Sequence, residues 1–246
     1  MDSIITTVRR CMQRGGEPLS VINLIEKDLL GIDQAAWLVS RIEQGSSWLV
    51  GALPSEAGKT TLMSALLLFL PDREKVTLAH PGARWKSFGP NTCVVTEEIS
   101  DHYRGCYLWN EDVPGLTAVP AQGGRITSTI HADTLEEARE QVARQCAAGE
   151  AGLASFGMFI PIEVSFANDP PKSTRKDEGG DRHRSIRSRA VQQIHYYDGR
   201  GWKTIDREIK LTAKQKSIVN FLSQCRESGT HSCEAVRKAW LAHSGC

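Results

Sequence analysis

Apolar positions along the chain fall into two rhythms, one of helices and one of short buried strands. From Ser20 the residues Val21, Ile22, Leu24, Ile25 and Leu29 share one broad helical face, with Ser20 as N-cap and Gly31 as the close. Asp33 caps a second helix over residues 34–44, carrying Ala36, Leu38 and Ile42, and Gly45 ends it. Short apolar or β-rich segments then predict strands over 47–52, 75–80, 92–96, 105–110 and 124–131. Helices are expected over 62–70 and from Leu135 to about Cys146. The second has Glu136, Glu137, Arg139 and Arg144 on its solvated face and Leu135, Ala138, Val142 and Ala143 on its buried one.

Residues 155–166 and 189–197 read as two antiparallel strands, followed by a turn at Asp198-Gly-Arg-Gly201 and a last strand of the meander at 202–205. The charged stretch between the two strands has almost no apolar content and reads as a solvated loop. From Thr212 two short helices follow, the second over 231–243 with Val236, Trp240 and Leu241. They are read as a cap packed on the core, a small partner-binding or helix-turn-helix unit being the other reading. The fold class is therefore α/β with a β-meander and a short C-terminal helical tail.

Candidate chemistry concentrates in residues 46–62, SSWLVGALPSEAGKTTL. A strand, a tight loop with Gly58-Lys59-Thr60 and then a helix form a phosphate-binding context. Unpaired amides at the start of the helix face an anion, and the helix dipole favours negative charge there. Pro54, Ser55, Glu56, Ala57, Gly58, Lys59, Thr60 and Thr61 form the candidate nucleotide cradle. Gly58 lets the backbone approach, Lys59 reaches the β- and γ-phosphates, and the Thr60 hydroxyl can ligate Mg²⁺. The pattern G-x-x-x-x-G-K-[ST] asks for glycine at position 53, where this chain has Leu53; the nearest glycine is Gly51.

Carboxylates at strand ends extend the candidate site. Thr92–Thr96 leads into Glu97-Glu98, and the run Gly105-Cys-Tyr-Leu-Trp-Asn110 leads into Glu111-Asp112. An apolar strand delivering an acid is the recurrent second half of a phosphate-loop ATPase site, where the acid holds Mg²⁺ or orients the attacking water. His131 falls at the end of its strand, where ligands bind in open α/β sheets.

Net charge is +1, so no global field marks a nucleic-acid or membrane-surface binder. The apolar run at 62–70 is too short to span a bilayer, and the basic pair of MDSIITTVRRC follows its apolar residues, the wrong order for a secretory signal. The seven cysteines are scattered without a C-x-x-C, which argues for reduced thiols in a cytoplasmic protein.

Four segments resemble the nucleotide-binding domain of the type II/type IV secretion and pilus-assembly ATPases, over about residues 18–205. Residues 18–61 resemble its entry and phosphate loop. Tyr107-Leu-Trp-Asn110-Glu111 resembles its atypical Walker B, with Asn110 replacing a glycine, and Gln193-Ile-His-Tyr-Tyr-Asp-Gly with Trp202 resembles its closing strands. Thr127-Ser-Thr-Ile-His131-Ala-Asp-Thr134 is similar to its histidine box, the most specific match. The family's acidic box would fall at Ala79-His80 or, displaced, at Glu97 and Glu98, which would then join Thr60 around the metal.

The resemblance implies a RecA-like P-loop NTPase with ATP and Mg²⁺ as cofactors. In it Lys59 binds phosphates, Glu111 polarises water and His131 senses the γ-phosphate. It implies a helical lead-in over residues 1–45, an ATPase core over 46–206 and a tail over 207–246. It further implies a homo-hexamer working with a membrane platform protein of a secretion or pilus system, cytoplasmic and peripheral at the inner face of the membrane. The family's N-terminal domain, which supplies arginines to the nucleotide, has no expected counterpart here, leaving Arg104, Arg125 or a partner for that charge. A nucleic-acid translocase using the basic stretch 172–189 or the tail is the less favoured alternative, as is a non-hydrolysing nucleotide-binding regulatory subunit.

Overall fold

The computed structural model describes residues 3–11, 16–102, 105–167 and 186–245. The strands in chain order are β1 (Trp48–Gly51), β2 (Lys75–Leu78), β3 (Thr92–Val95), β4 (Arg125–Ile130), β5 (Met158–Pro161), β6 (Glu163–Phe166), β7 (Ile186–Ala190), β8 (Ile194–Tyr197) and β9 (Trp202–Ile205). A seven-stranded sheet has the order β2-β3-β4-β1-β5-β8-β9, and β6 and β7 pair separately as a two-stranded unit. The strands from β2 across to β5 run parallel, and β8 and β9 are antiparallel additions.

Helices α1 (Ser3–Cys11), α2 (Val21–Glu26), α3 (Ile32–Glu43) and α4 (Lys59–Leu67) come first. They are followed by α5 (Asp112–Thr117), α6 (Leu135–Arg139), α7 (Gly149–Ala154), α8 (Ala213–Glu227) and α9 (Cys233–Ser244). The two faces of the sheet carry separate cores because successive strand residues point to opposite sides. Trp48, Val50, Cys93, Val95, Met158 and Ile160 pack with apolar residues of α1 to α4, α8 and α9. Leu49, Val94, Ile126, Ile130 and Phe159 pack instead with Val113, Leu116, Ala138 and Leu153 from α5, α6 and α7. With helices on both faces, β1, β4 and β5 are buried at every position; β1 and β5 read as apolar runs, whereas β4 buries Arg125, Thr127, Ser128 and Thr129 as well.

The helical tail shares the first of these cores. Trp240 packs edge-on against Phe69 at 5.2 Å. Arg237, itself buried, donates to the carbonyls of Leu68 (3.1 Å) and Leu70, closing the end of α4 that has no further helical partners. Thr212 caps α8 as expected, its Oγ1 accepting the Gln215 amide at 3.3 Å.

Three sequence expectations are corrected. Residues 105–110 do not form a strand of the sheet. Leu108 makes a single-residue bridge to Ile99 and buries its side chain, while Glu111 is exposed at the start of α5. Residues 155–166 form two strands, β5 and β6, broken where the Ile162 amide turns to donate to the Gly51 carbonyl at 2.8 Å. The helix from Leu135 ends at Arg139 and continues as a π-helical segment, Glu140–Gln145.

Among the described residues no helix is long and apolar enough to cross a membrane. The described cysteines form no disulfide, and burial pushes the Cys11 and Cys146 thiols up to about 11 and the Cys233 thiol to about 12. Such thiols are inert packing groups rather than nucleophiles.

Candidate functional site

The site forms where the carboxyl ends of β1, β3 and β4 come together. β4 lies between the other two, paired with β1 through Trp48↔Thr127 and with β3 through Cys93↔Arg125. The loop after β1 and the acids after β3 therefore stand on either side of the β4 end. Beyond Val95 the β3 path stays tied to β4, since Thr96 N donates to Thr127 O (3.0 Å) and Ile99 N to Thr129 O (2.8 Å). The Thr129 hydroxyl donates to the Glu97 carbonyl at 2.7 Å, which fixes the backbone between those two anchors.

Glu98 is the acid this arrangement delivers. Its side chain is 10% exposed, with Oε2 3.8 Å from the Lys59 ammonium and Oε1 2.9 Å from His131 Nε2. The second contact lacks hydrogen-bond alignment, so among the described residues Glu98 Oε1 is a buried oxygen that accepts no hydrogen bond. Lys59, 8% exposed at its side chain, donates to the Ala52 carbonyl at 3.0 Å. Burial holds the Lys59 ammonium below the ordinary lysine value, against the opposing pull of Glu98 and Asp133.

The loop itself is held from the β4 end. His131 Nδ1 lies 2.9 Å from the Leu53 carbonyl, which can only accept, so Nδ1 carries the proton. Asp133 Oδ1 accepts the Leu53 amide at 2.8 Å. The segment carrying these two residues is pinned in turn: Gln141 Nε2 donates to His131 O (2.6 Å), and Asp133 N donates to Glu137 Oε2 (2.7 Å) in the capping box of α6. With both backbone groups of residue 53 bonded outward and no positive φ there, the position has no need of glycine. The loop places its left-handed residues at Glu56 (φ 66°) and Gly58 (φ 97°) instead. Leu53 points its side chain outward, 49% exposed.

Gly51 is needed for a different reason. A Cβ there would lie 2.4 Å from the Ala132 carbonyl oxygen and 2.5 Å from the Phe159 ring, so only glycine allows β1 to pass this close to the His131 segment. A Cβ on Gly58 would meet the Arg189 Cδ at 4.0 Å, an ordinary contact, and Gly58 begins α4, whose first-turn amides have no intrahelical partner.

The sequence candidates thus divide. Glu98 contacts both Lys59 and His131, with the loop residues 54–58 and the half-buried Thr60 and Thr61 alongside. Glu97 is half-buried, on the strand-end segment that carries Glu98. Of the two acidic-box alternatives, Glu97-Glu98 is the one at the loop; Ala79 is buried with its amide on Val95 O, and His80 is exposed.

Glu111 does not join the contacts of Lys59 and His131, and its neighbour Asp112 is structural, accepting from Gly82 N (2.8 Å) and Trp85 Nε1 (3.2 Å). Arg125 is excluded as a nucleotide contact. It is 5% exposed at the opposite end of β4 from His131, paired with Glu74 and donating to Ile42 O at 2.7 Å. Arg104 and most of the stretch 172–189 lie outside the described residues.

Asp133 and Arg189 were not singled out from the sequence. Asp133 had a signal, since it lies two residues past His131. Arg189 had none, because its partner is the Glu56 carbonyl, 133 residues away in sequence.

The chain matches no family model and no curated protein.

Among the described residues no three His, Cys, Asp or Glu side chains cluster as metal ligands. A divalent ion here would rest on one or two protein oxygens and on substrate oxygens, the coordination habit of Mg²⁺. Glu98 Oε1, buried and unserved by hydrogen bonds, fits that requirement, as does the hydroxyl of Thr60.

Proposed function

We propose that the protein is an ATP-hydrolysing P-loop enzyme of RecA-like type, a motor similar to the secretion and pilus-assembly ATPases. The single observation that carries the ATPase reading is the meeting of Lys59, Glu98 and His131 across three adjacent strand ends. A lysine at the mouth of a helix, facing a buried carboxylate, suits a triphosphate held by backbone amides with its reaction directed from the carboxylate side.

In this reading the loop amides and Lys59 bind the phosphates. Thr60 and Glu98 would hold Mg²⁺, which supplies charge neutralisation on the phosphate oxygens. Glu98 takes the role first assigned to Glu111: it orients the attacking water and accepts its proton. His131, touching both Glu98 and the Leu53 carbonyl, links the carboxylate to the loop and so reports the γ-phosphate to the β4 end. Catalysis is mainly positioning and charge stabilisation. The motor assignment, with a homo-hexamer and a membrane platform protein as partners, rests on the histidine-box resemblance of residues 127–134.

Titrating a fluorescent ATP analogue with Mg²⁺ against the wild type and Lys59→Ala tests the nucleotide reading, with sedimentation of the same samples to follow assembly. Saturable binding by the wild type, lost in a folded Lys59→Ala variant, is the expected result. A folded wild type that binds no nucleotide overturns the reading.

A further inference from the structure

Among the described residues the charged neighbours of Lys59 are acids: its ammonium lies 3.8 Å from Glu98 and also feels the charge of Asp133. Arg189 supplies a cation at the rim of the same loop. Its Nε donates to the Glu56 carbonyl at 3.1 Å, and its Cδ lies 4.0 Å from the position of a Cβ on Gly58, the residue that opens α4.

The strand that carries Arg189 is firmly placed. Arg189 pairs in register with Val164 of β6, which follows β5, the neighbour of the loop strand β1. Two residues on, Val191 N donates to Leu29 O (2.8 Å), and Val191 O accepts from the fully buried Gln34 Nε2 (3.1 Å). The guanidinium is exposed, and among the described residues no carboxylate pairs with it. One donor is committed to the loop backbone, while four N–H groups remain in the planar fork that matches phosphate oxygens.

We propose that Arg189 is a phosphate-binding residue of the nucleotide site, a same-chain arginine presented to the polyphosphate by β7 while its Nε holds the loop at Glu56. The assignment rests on the nucleotide reading above and names one more residue of that site.

The test is equilibrium binding of adenosine, AMP, ADP and ATP, each with Mg²⁺, to the full-length wild type, Arg189→Ala and Arg189→Lys. Thermal melting of each variant checks the fold. Arg189→Ala is expected to weaken ATP by about tenfold or more and to leave adenosine unchanged, the loss growing with phosphate count. Arg189→Lys, which keeps the charge but not the fork, falls between. A variant that only loosened the loop would lose all four ligands alike, and that result overturns the proposal. So does wild-type ATP affinity in Arg189→Ala. A wild type that binds none of the ligands overturns the nucleotide reading itself, and this assignment with it.

Discussion

The carboxylate of Asp133 accepts the backbone amide of Leu53 at 2.8 Å, tying the entry of the loop after β1 to the segment that carries His131. A hydrogen bond to a charged acceptor contributes about 1.5–3 kcal/mol, toward the low end where water competes. Asp133→Ala should therefore lower stability by about 1–2 kcal/mol in urea unfolding. It should also loosen residue 53, read as faster amide exchange in the loop. An unchanged midpoint and unchanged exchange would show that the bond does not hold the loop.

Gly51 is expected to resist even the smallest side chain. In Gly51→Ala the new methyl meets a backbone carbonyl at 2.4 Å, and a carbonyl cannot swing aside as a flexible side chain can. Overpacking of this kind costs about 1–3 kcal/mol. The expected signature is a lower melting temperature together with a displaced His131 ring resonance, since the carbonyl belongs to the adjacent Ala132. A variant as stable as wild type would mean that the two strand ends part without cost.

Lys59 and Glu98 form a buried pair whose charges burial opposes. Burial disfavours the Lys59 ammonium, and removing that lysine alone strands the Glu98 carboxylate. Lys59→Met should therefore destabilise. The double variant Lys59→Met/Glu98→Gln removes both charges and should recover wild-type stability or exceed it by about 1–4 kcal/mol. Urea unfolding of the three proteins decides this, and a double variant weaker than the single one contradicts it.

His195 makes the meander sensitive to acid. Its ring stacks on Phe159 at 5.9 Å, and burial pushes its pKa below the ordinary histidine value. Below about pH 6.5 the unfolded chain takes up a proton that the folded ring still refuses. Stability contributed by the neutral ring is thus complete above that pH and is lost as pH falls through it. Unfolding midpoints from pH 8 to 5 should decline less in His195→Gln than in wild type. Parallel profiles would contradict the assignment.

Much of this architecture was legible because fully buried strands leave unbroken apolar runs, and the Gly-Lys-Thr loop lies between one such run and a helix. The capping Thr212 and the carboxyl-end position of His131 were equally local signals. What the sequence could not reveal was which run enters the sheet. Thr92–Val95 and residues 105–110 are both short, apolar and followed by acids, yet only the first pairs along a neighbouring strand. The second lends Leu108 to the core beneath it and turns away, so its acid, Glu111, ends in solvent. Strand order is a long-range property, and it is what sets Glu98 rather than Glu111 beside Lys59. The Arg189 contact was hidden for the same reason: a hydrogen bond to a main-chain carbonyl imposes no residue type on its partner.

The most direct test of the account is steady-state hydrolysis of ATP with Mg²⁺ by the wild type, Lys59→Ala, Glu98→Gln and Glu111→Gln. The account predicts turnover by the wild type that Glu111→Gln retains. It predicts that Lys59→Ala and Glu98→Gln abolish turnover, a loss of about a hundredfold or more, with Glu98→Gln still binding ATP. Turnover by Glu98→Gln at the wild-type rate, or loss confined to Glu111→Gln, would contradict it.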